Sequence, residues 1–237
     1  MDPTSARGRV LLALGLAAIG CQNLVGLGLI PQLQPVSDSI PAHSLLGVVL
    51  GVLLLATSAG VVVGVRRAAT GLAALLSIWM LLLWVPTLVA NPRSGAAWTG
   101  AFEIAALTFA AWSLAGAGRI AQVGFGLCVP AFGVLHFLYV DDVASVIPGW
   151  IPGPVFWAHA TGVAHIAAGL AIATGIRARL AAGLLGLMFG LWVVILHAPR
   201  VVANLGARAE WTSLFVALAM CGASLVVASR VNRLSRA

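Results

Sequence analysis

The sequence predicts an all-α, polytopic membrane protein in which eight transmembrane helices form two parallel four-helix repeats. Of the 237 residues, 61% are hydrophobic and only 8% are charged, which is too little charge to cover the surface of a soluble domain. The apolar residues fall in runs of about twenty, the length at which a helix crosses the hydrocarbon core. A pattern of Pro, Asn and Trp also recurs at one constant spacing along the chain.

The eight predicted helices are apolar runs separated by short gaps that contain Pro or paired Arg residues. Proline ends helices because it lacks a backbone N–H and clashes with the preceding turn. On this pattern the spans lie near residues 10–30, 43–64, 70–90, 97–117, 121–140, 155–175, 180–198 and 210–229.

The distribution of basic residues predicts how the helices are oriented. All thirteen basic residues are Arg, and cytoplasmic loops of membrane proteins are enriched in such residues. We therefore expect both termini on the cytoplasmic side of a bacterial-type cytoplasmic (inner) membrane. The cytoplasmic segments then hold Arg7, Arg9, Arg66, Arg67, Arg119, Arg177, Arg179, Arg230, Arg233 and Arg236, and the outer segments hold Arg93, Arg200, Arg208, Asp38, Asp141, Asp142 and Glu210.

The net charge of +7 does not indicate a nucleic-acid partner. The arginines lie in short gaps between apolar runs and are not interleaved with aromatic residues, as a phosphate-binding face would require. The partner that this charge pattern predicts is the lipid bilayer.

The chain contains an internal duplication. Residues 86–99 read PTLVANPRSGAAWT, and residues 199–212, which follow after a spacing of 113, read PRVVANLGARAEWT. The sequence therefore predicts two tandem units, residues 1–118 and 119–237, which are parallel because each has an even number of helices. The same spacing pairs Trp79 with Trp192, Phe102 with Phe215, Gly20 with Gly133, Pro41 with Pro154 and Arg66 with Arg179.

The repeated motif has two interpretations. Asn91 and Asn204 would cap a helix end, and the Trp of each copy would lie in the membrane interface. Alternatively, the two copies line a shared pocket on the outer face, in which case Asn204 contacts the ligand.

Ionisable residues inside the predicted helices are the candidates for function, because such groups are costly within a membrane. The second unit holds four of the five histidines, and we expect it to carry the activity. Glu103, His136 and His165 each need a partner in an apolar helix, so each is either a hydrogen-bonded core residue or part of a site. His43 and His197 lie at helix ends and are interpreted as solvated or capping.

No metal site is predicted. His159 and His165 are six residues apart, which places their side chains roughly 120° apart around a helix, so they cannot both face one metal ion. A haem is disfavoured because the histidines show no ligand spacing. Cys21, Cys128 and Cys221 lie in apolar runs without a CxxC motif and are interpreted as buried free thiols.

The second unit contains several short motifs of small, aromatic and basic residues. They are Gly133 with His136-Phe137, Pro148-x-Trp150-x-Pro152, Gly162-Val163-Ala164, Gly169-Leu170 and Arg177-Ala178-Arg179. In these motifs the unit resembles the DoxX-like family of four-helix membrane proteins. Relatives commonly carry Glu where this chain has His165, so no role that requires a carboxylate is implied there.

The resemblance implies a link to quinone-coupled redox complexes, including thiosulfate and quinol oxidation, or to complexes that handle oxidative stress. We therefore expect a membrane subunit of a quinone-linked redox complex, with redox enzyme subunits as partners and a quinone as the candidate ligand. His136 and His165 would hydrogen-bond or exchange protons with the ligand, and His159 and Trp150 would line the mouth of the site. The predicted ligand-binding residues are His136, His165, His159, Trp150, Glu103 and Asn204.

Two other functions remain open from the sequence, because it contains no complete catalytic set. A non-enzymatic scaffold or assembly factor fits that lack and the short loops. A small-solute transporter fits the parallel repeat, but intramembrane charges and helix interruptions at mid-membrane are scarce.

Overall fold

The computed structural model describes residues 3–36 and 42–234, and this part of the chain is helical without β-strands. Seven of its helices are long and apolar enough to cross a membrane, as expected of an all-α, multi-pass membrane protein. Asp38, Pro41 and Arg236, and the side chain of Arg233, lie outside the described residues.

Both halves of the chain contain the same succession of long helices. Each has two uninterrupted helices, then a helix interrupted by one π-helical turn, then a fourth long helix. The first half consists of α1 (Pro3–Val25), α2 (His43–Val62), α3 (Arg66–Trp79), the turn π1 (Met80–Trp84), α4 (Val85–Ala90) and α5 (Gly95–Ala115). The second consists of α6 (Gly118–Leu138), the short α7 (Val140–Ser145), α8 (Pro154–Thr174), α9 (Ala178–Trp192), the turn π2 (Val193–His197), α10 (Ala198–Ala203) and α11 (Arg208–Leu234).

The two π-helical turns begin and end one repeat spacing apart in the sequence. In each, a backbone N–H bonds to the carbonyl five residues back, from Val85 to Met80 and from Ala198 to Val193. A proline follows directly, Pro86 or Pro199, and it has no N–H for an α-helical bond. The wider turn is the local distortion with which a helix accommodates this loss.

The last long helix of the first half, α5, is not among the seven helices that are long and apolar enough to cross a membrane. It contains Glu103 within 21 residues, which lowers its mean hydropathy. It is nevertheless largely buried, because it packs against α3, α6 and α11. A helix enclosed by other helices contacts little lipid and does not need an apolar surface all round.

The helix packing follows the same pairs in both halves. The first two long helices pack together, α1 on α2 and α6 on α8, and the interrupted helices pack on the fourth ones, α3 on α5 and α9 on α11. The halves join where α1 packs on α11 and α6 on α5, with α5 and α11 in contact between them. The two fourth helices therefore form the centre of the bundle.

Glycines allow the first two helices of each half to cross closely. A Cβ on Gly20 would lie 2.9 Å from the carbonyl oxygen of Gly51 in α2. A Cβ on Gly133 would lie 2.5 Å from the carbonyl oxygen of Gly162 in α8. Close backbone approach at small residues is a main source of helix association in membranes.

Polar side chains fasten helix ends at both ends of the bundle. Where the chain termini lie, Arg66 Nε donates to the Ala115 carbonyl at 2.8 Å, and Arg119 donates to the Ala173 and Thr174 carbonyls at 2.8 and 2.9 Å. These bonds satisfy the unpaired carbonyls of helix C-termini, where positive charge is favourable. At the opposite end, Arg208 donates to the Gln22 carbonyl at 2.9 Å and joins α11 to α1.

Two details differ from expectation. The first helix occupies Pro3–Val25 and not residues 10–30, because the chain leaves it at Gly26–Gly28. The thiols of Cys128 and Cys221 are buried as predicted, but Cys21 is exposed, so its interpretation as buried was wrong.

Candidate functional site

A cavity of about 380 Å³ lies between the two halves, toward the end of the bundle at which α5 and α11 begin. We call this the outer end, following the predicted topology. The cavity extends along α11 from Thr212 to Met220, eight residues or roughly 12 Å. Its other lining residues include Gln32 and Leu33 after α1, Thr99, Gly100 and Glu103 of α5, Phe132 and His136 of α6, His165 of α8, and Phe189, Trp192 and His197 of the interrupted helix.

Two histidines from neighbouring helices meet in this cavity. The ring centroids of His136 and His165 are 4.9 Å apart. Each ring bonds through Nδ1 to a backbone carbonyl four residues back, that of Phe132 at 2.7 Å and that of Thr161 at 2.8 Å. Because a carbonyl only accepts, Nδ1 carries the hydrogen, and the neutral ring keeps an acceptor lone pair on Nε2.

Neither Nε2 atom has a hydrogen-bond partner among the described residues. His165 is 1% exposed, and its Nε2 is fully buried without such a partner. A buried polar atom that no protein group satisfies is costly. The two rings therefore place an unsatisfied, buried acceptor on His165 directly beside the His136 ring at the wall of the cavity.

Aromatic side chains form a wall around the histidine pair. The Trp192 ring stacks on His136 at 5.9 Å and lies 5.4 Å from His165. Phe189 and Phe132 contact His165 at 5.7 and 5.8 Å. No acceptor for the indole N–H of Trp192 is found among the described residues, which leaves this N–H able to donate to another group.

Two further ionisable groups face the same space. Glu103 reaches it from α5, half-buried, and forms neither an ion pair nor a hydrogen bond with any described residue. His197 reaches it from π2, and its Nδ1 is buried without a partner there. Beyond His197, the Arg200 guanidinium binds the Glu210 carboxylate through two hydrogen bonds of 2.8 Å, which ties α10 to α11.

The structure brings together three of the six residues predicted from the sequence: Glu103, His136 and His165. His159 is exposed, bonds to the Val155 carbonyl at 2.8 Å and packs on Phe137. Its direction differs from that of His165, as six residues of helix require.

Trp150 and Asn204 lie away from the cavity lining. Trp150 is 72% exposed in the loop before α8. Asn204 is exposed and follows the last residue of α10, the position that its capping interpretation predicts. In the same motif Trp211 Nε1 donates to the Leu205 carbonyl at 3.0 Å. In the first copy of the motif, Trp98 Nε1 donates to the Pro92 carbonyl at 2.9 Å.

Sequence reasoning missed His197 and the aromatic wall as parts of the site. His197 was interpreted as an interfacial residue because it ends a predicted span. The repeat carried the signal that could have found it, since His197 corresponds to Trp84 at the 113-residue spacing. A smaller side chain at an equivalent position leaves space in a packed core.

The first half shows what fills that space otherwise. Trp84 packs directly on Gly100 of α5, and Trp79 and Trp84 both donate to the Leu33 carbonyl, at 2.7 and 3.1 Å. In the second half, His197 and Ser213 replace Trp84 and Gly100, and both border the cavity.

Residues 3–36 and 42–234 contain no group of three or more His, Cys, Asp or Glu side chains placed to hold a metal ion. The chain matches no protein-family model, no curated protein and no solved structure.

Proposed function

We propose that the chain crosses the membrane eight times, as a tandem duplication of two parallel four-helix units with both termini in the cytoplasm. The coincident bounds of π1 and π2 and the equivalent helix pairs in the two halves support the duplication. The long, buried α5 supplies the eighth span, and the bias of the arginines supports the orientation in a bacterial-type inner membrane.

Within this frame, we propose that the protein binds the head group of a quinone or quinol in the cavity at the outer end. The observation that carries this proposal is the His136–His165 pair, whose side chains line a cavity walled by aromatic rings. Its volume of about 380 Å³ is within the range of small-ligand sites. A quinone ring is flat and apolar on its faces, so aromatic walls suit it.

The polar groups of the cavity match the edges of such a ring. A quinol hydroxyl donates to an imidazole lone pair, whereas a quinone carbonyl accepts from the Trp192 N–H. Oxidation of a quinol releases two protons and two electrons. His136 and His165 can accept protons, and we propose that a partner redox subunit accepts the electrons.

Glu103 and His197 add two further ionisable groups to the same cavity. His197 directly precedes α10, which leads to the outer end of the bundle, so a proton taken up in the cavity has a further ionisable group nearby. The protein would thus act as a membrane subunit of a quinone-linked redox complex, as its resemblance to the DoxX-like family also suggests.

The proposal is tested by titrating the purified protein in detergent with a short-chain ubiquinone and following the quenching of Trp fluorescence. We expect saturable quenching that is strongly reduced in Trp192→Phe. His165→Phe removes one acceptor and should weaken binding roughly tenfold.

The matched control is His159→Phe, since His159 lies on the same helix but outside the cavity. Equal affinities in His165→Phe, His159→Phe and the unmodified protein would refute the site. Quenching that does not saturate in the unmodified protein would refute quinone binding itself.

A further inference from the structure

A groove with a volume of about 340 Å³ runs between α8 and α9. Its walls are four alanines of α8, which are Ala164, Ala167, Ala168 and Ala171, and apolar residues of α9 between Leu180 and Met188. Arg177, in the turn between the two helices, also lines it. The groove is therefore apolar along its length and basic at one end.

The groove faces the lipid and has the length of one leaflet. Ala167, Leu180 and Leu184 are exposed although they belong to apolar spans, and the turn that contains Arg177 is cytoplasmic by the predicted topology. Met188 follows Arg177 by eleven residues, which is roughly 16 Å of helix. This is about half of the hydrocarbon core of a bilayer, so the groove matches the reach of one acyl chain.

The space arises from the packing of two uninterrupted helical segments. In the first half, α2 approaches α3 at Gly60, where an added Cβ would be in direct contact with the Ala68 methyl. The face of α8 that borders the groove carries alanines, whose methyl groups prevent so close an approach but are too short to fill the gap. Gly169 of α8 faces Pro130 of α6 instead.

Arg177 lies at the cytoplasmic end of the groove with its side chain exposed. It forms no hydrogen bond or ion pair through this side chain with any residue in the ranges 3–36 and 42–234. It directly precedes α9, and a cation is unfavourable there because the N-terminus is the positive end of the helix dipole. Val65 holds the same position before α3, so a turn of this kind does not require a basic residue.

The surroundings of Arg177 are basic as well. Arg179 is exposed two residues later, and the Arg119 guanidinium bonds to the carbonyls that end α8 and lies against Gly175. The described carboxylates belong to the outer half of the bundle; they are Glu103, Asp141, Asp142 and Glu210. An anion at the start of α9 would therefore meet a positive potential.

We propose that this groove binds an anionic phospholipid of the cytoplasmic leaflet, with one acyl chain between α8 and α9 and the phosphate at Arg177. Guanidinium N–H groups match phosphate oxygens in paired, charge-assisted hydrogen bonds. A phosphate at this place also offsets the unfavourable charge at the start of α9. A zwitterionic lipid would bring a second cation among the arginines, so charge complementarity selects an anionic head group. The proposal does not depend on the quinone site.

The first test compares two lipids that differ only in the head group. Binding of dioleoyl phosphatidylglycerol and of dioleoyl phosphatidylcholine to the full-length protein in detergent is measured by native mass spectrometry. We expect phosphatidylglycerol to bind at least roughly fivefold more tightly, since each basic residue near an anionic head group contributes about this factor. Equal affinities for the two lipids would overturn the proposal.

The second test removes the charge. Arg177→Gln should weaken phosphatidylglycerol binding roughly fivefold, whereas Arg67→Gln, at an exposed position outside the groove, should not change it. Arg177 has a φ of 50°, a conformation that glycine adopts readily, so Arg177→Gly should keep the turn intact and show the same loss. Equal losses at Arg67 and Arg177, or a loss in Arg177→Gln without one in Arg177→Gly, would overturn the assignment.

The third test fills the groove without changing any charge. Ala164→Leu/Ala167→Leu adds bulk at two exposed lining positions and should weaken phosphatidylglycerol binding roughly tenfold. The control, Ala56→Leu/Ala59→Leu, adds the same bulk at exposed positions of α2 outside the groove and should leave the affinity unchanged. An unchanged affinity in the first variant, or an equal loss in both, would show that the acyl chain does not lie between α8 and α9.

Discussion

Trp79 and Trp84 in the first half of the chain, and Trp192 and His197 in the second, occupy the two ends of equivalent π-helical turns. In the first half both indoles donate to the Leu33 carbonyl, and the interior is filled. In the second half, Trp192 has no acceptor among the described residues, and His197 is one of the residues around a cavity of about 380 Å³. The same helical frame therefore holds a hydrogen-bonded indole at Trp84, where the second half has His197 at the wall of the cavity.

The difference lies in a few substitutions on this common frame. Fully buried Asn23 corresponds to His136, and Val216 of α11 corresponds to Glu103 of α5. Each substitution adds an ionisable group to the side that contains the cavity. Buried polar atoms without a partner among the described residues occur in both halves, at Asn23 as well as at His165 and His197, but of these three side chains His165 and His197 line the cavity.

The largest effect is expected when the second half is given the packing of the first. In His197→Trp/Ser213→Gly, the new indole should lie on the introduced glycine as Trp84 lies on Gly100, and occupy part of the cavity. Binding of a short-chain ubiquinone, measured by fluorescence quenching, should fall by about 100-fold or more. His159→Trp adds the same bulk at an exposed position and should leave affinity unchanged. Unchanged affinity in the double variant would show that the ligand does not use this cavity.

The glycine crossings separate stability, to which both halves contribute, from binding, for which the His136–His165 pair of the second half is proposed. Gly20→Ala and Gly133→Ala each place a methyl against a facing carbonyl and should each destabilise the protein by about 1–3 kcal/mol. Reversible denaturation in mixed detergent measures this. Gly133→Ala should also weaken ubiquinone binding, because the α6–α8 crossing positions His136 and His165.

Gly183→Ala is the control for this pair, because nothing lies within 4 Å of the added Cβ. It should leave the free energy of unfolding unchanged or raise it slightly, since Ala favours helix over Gly. If Gly20→Ala weakens ubiquinone binding as much as Gly133→Ala does, the two crossings would not differ in function.

Much of the fold could be predicted from the sequence, because run length, proline positions and a gapless repeat are all local signals. The helix ends were harder to predict from the sequence. The chain leaves α1 at Gly26–Gly28, before it reaches Pro31. Three site residues, Glu103, His136 and His165, could be proposed because ionisable groups inside apolar helices need an explanation.

The remaining site residues depended on information that no local pattern contains. Helical geometry fixes the angle between His159 and His165, but the packing of α6 and α9 decides which of them faces the interior. His197 resembled an interfacial residue because π2 and α10 continue the helix beyond the predicted span end. Its significance follows only from comparison with Trp84, whose bulk fills the equivalent space.

The smallest effects are expected from a pair of matched substitutions at the tryptophans. Trp79→Phe removes one of the two donors to the Leu33 carbonyl and should lower the free energy of unfolding by about 1 kcal/mol, with little change in ubiquinone affinity. Trp192→Phe removes an N–H that has no protein acceptor in the described residues, so stability should change by less than about 0.5 kcal/mol. Its ubiquinone affinity, measured by equilibrium dialysis because the reporter is lost, should fall roughly fivefold to tenfold.

The two tryptophans thus serve as controls for each other, since both substitutions remove the same atoms at equivalent positions. If the indole N–H of Trp192 donates to the ligand, the loss appears in binding alone, whereas the loss at Trp79 appears in stability alone. Equal stability losses at the two positions would mean that Trp192 also has a structural acceptor. In that case the wall of the cavity would be fixed by packing, and the donor to a quinone carbonyl would have to be sought in Glu103 or His197.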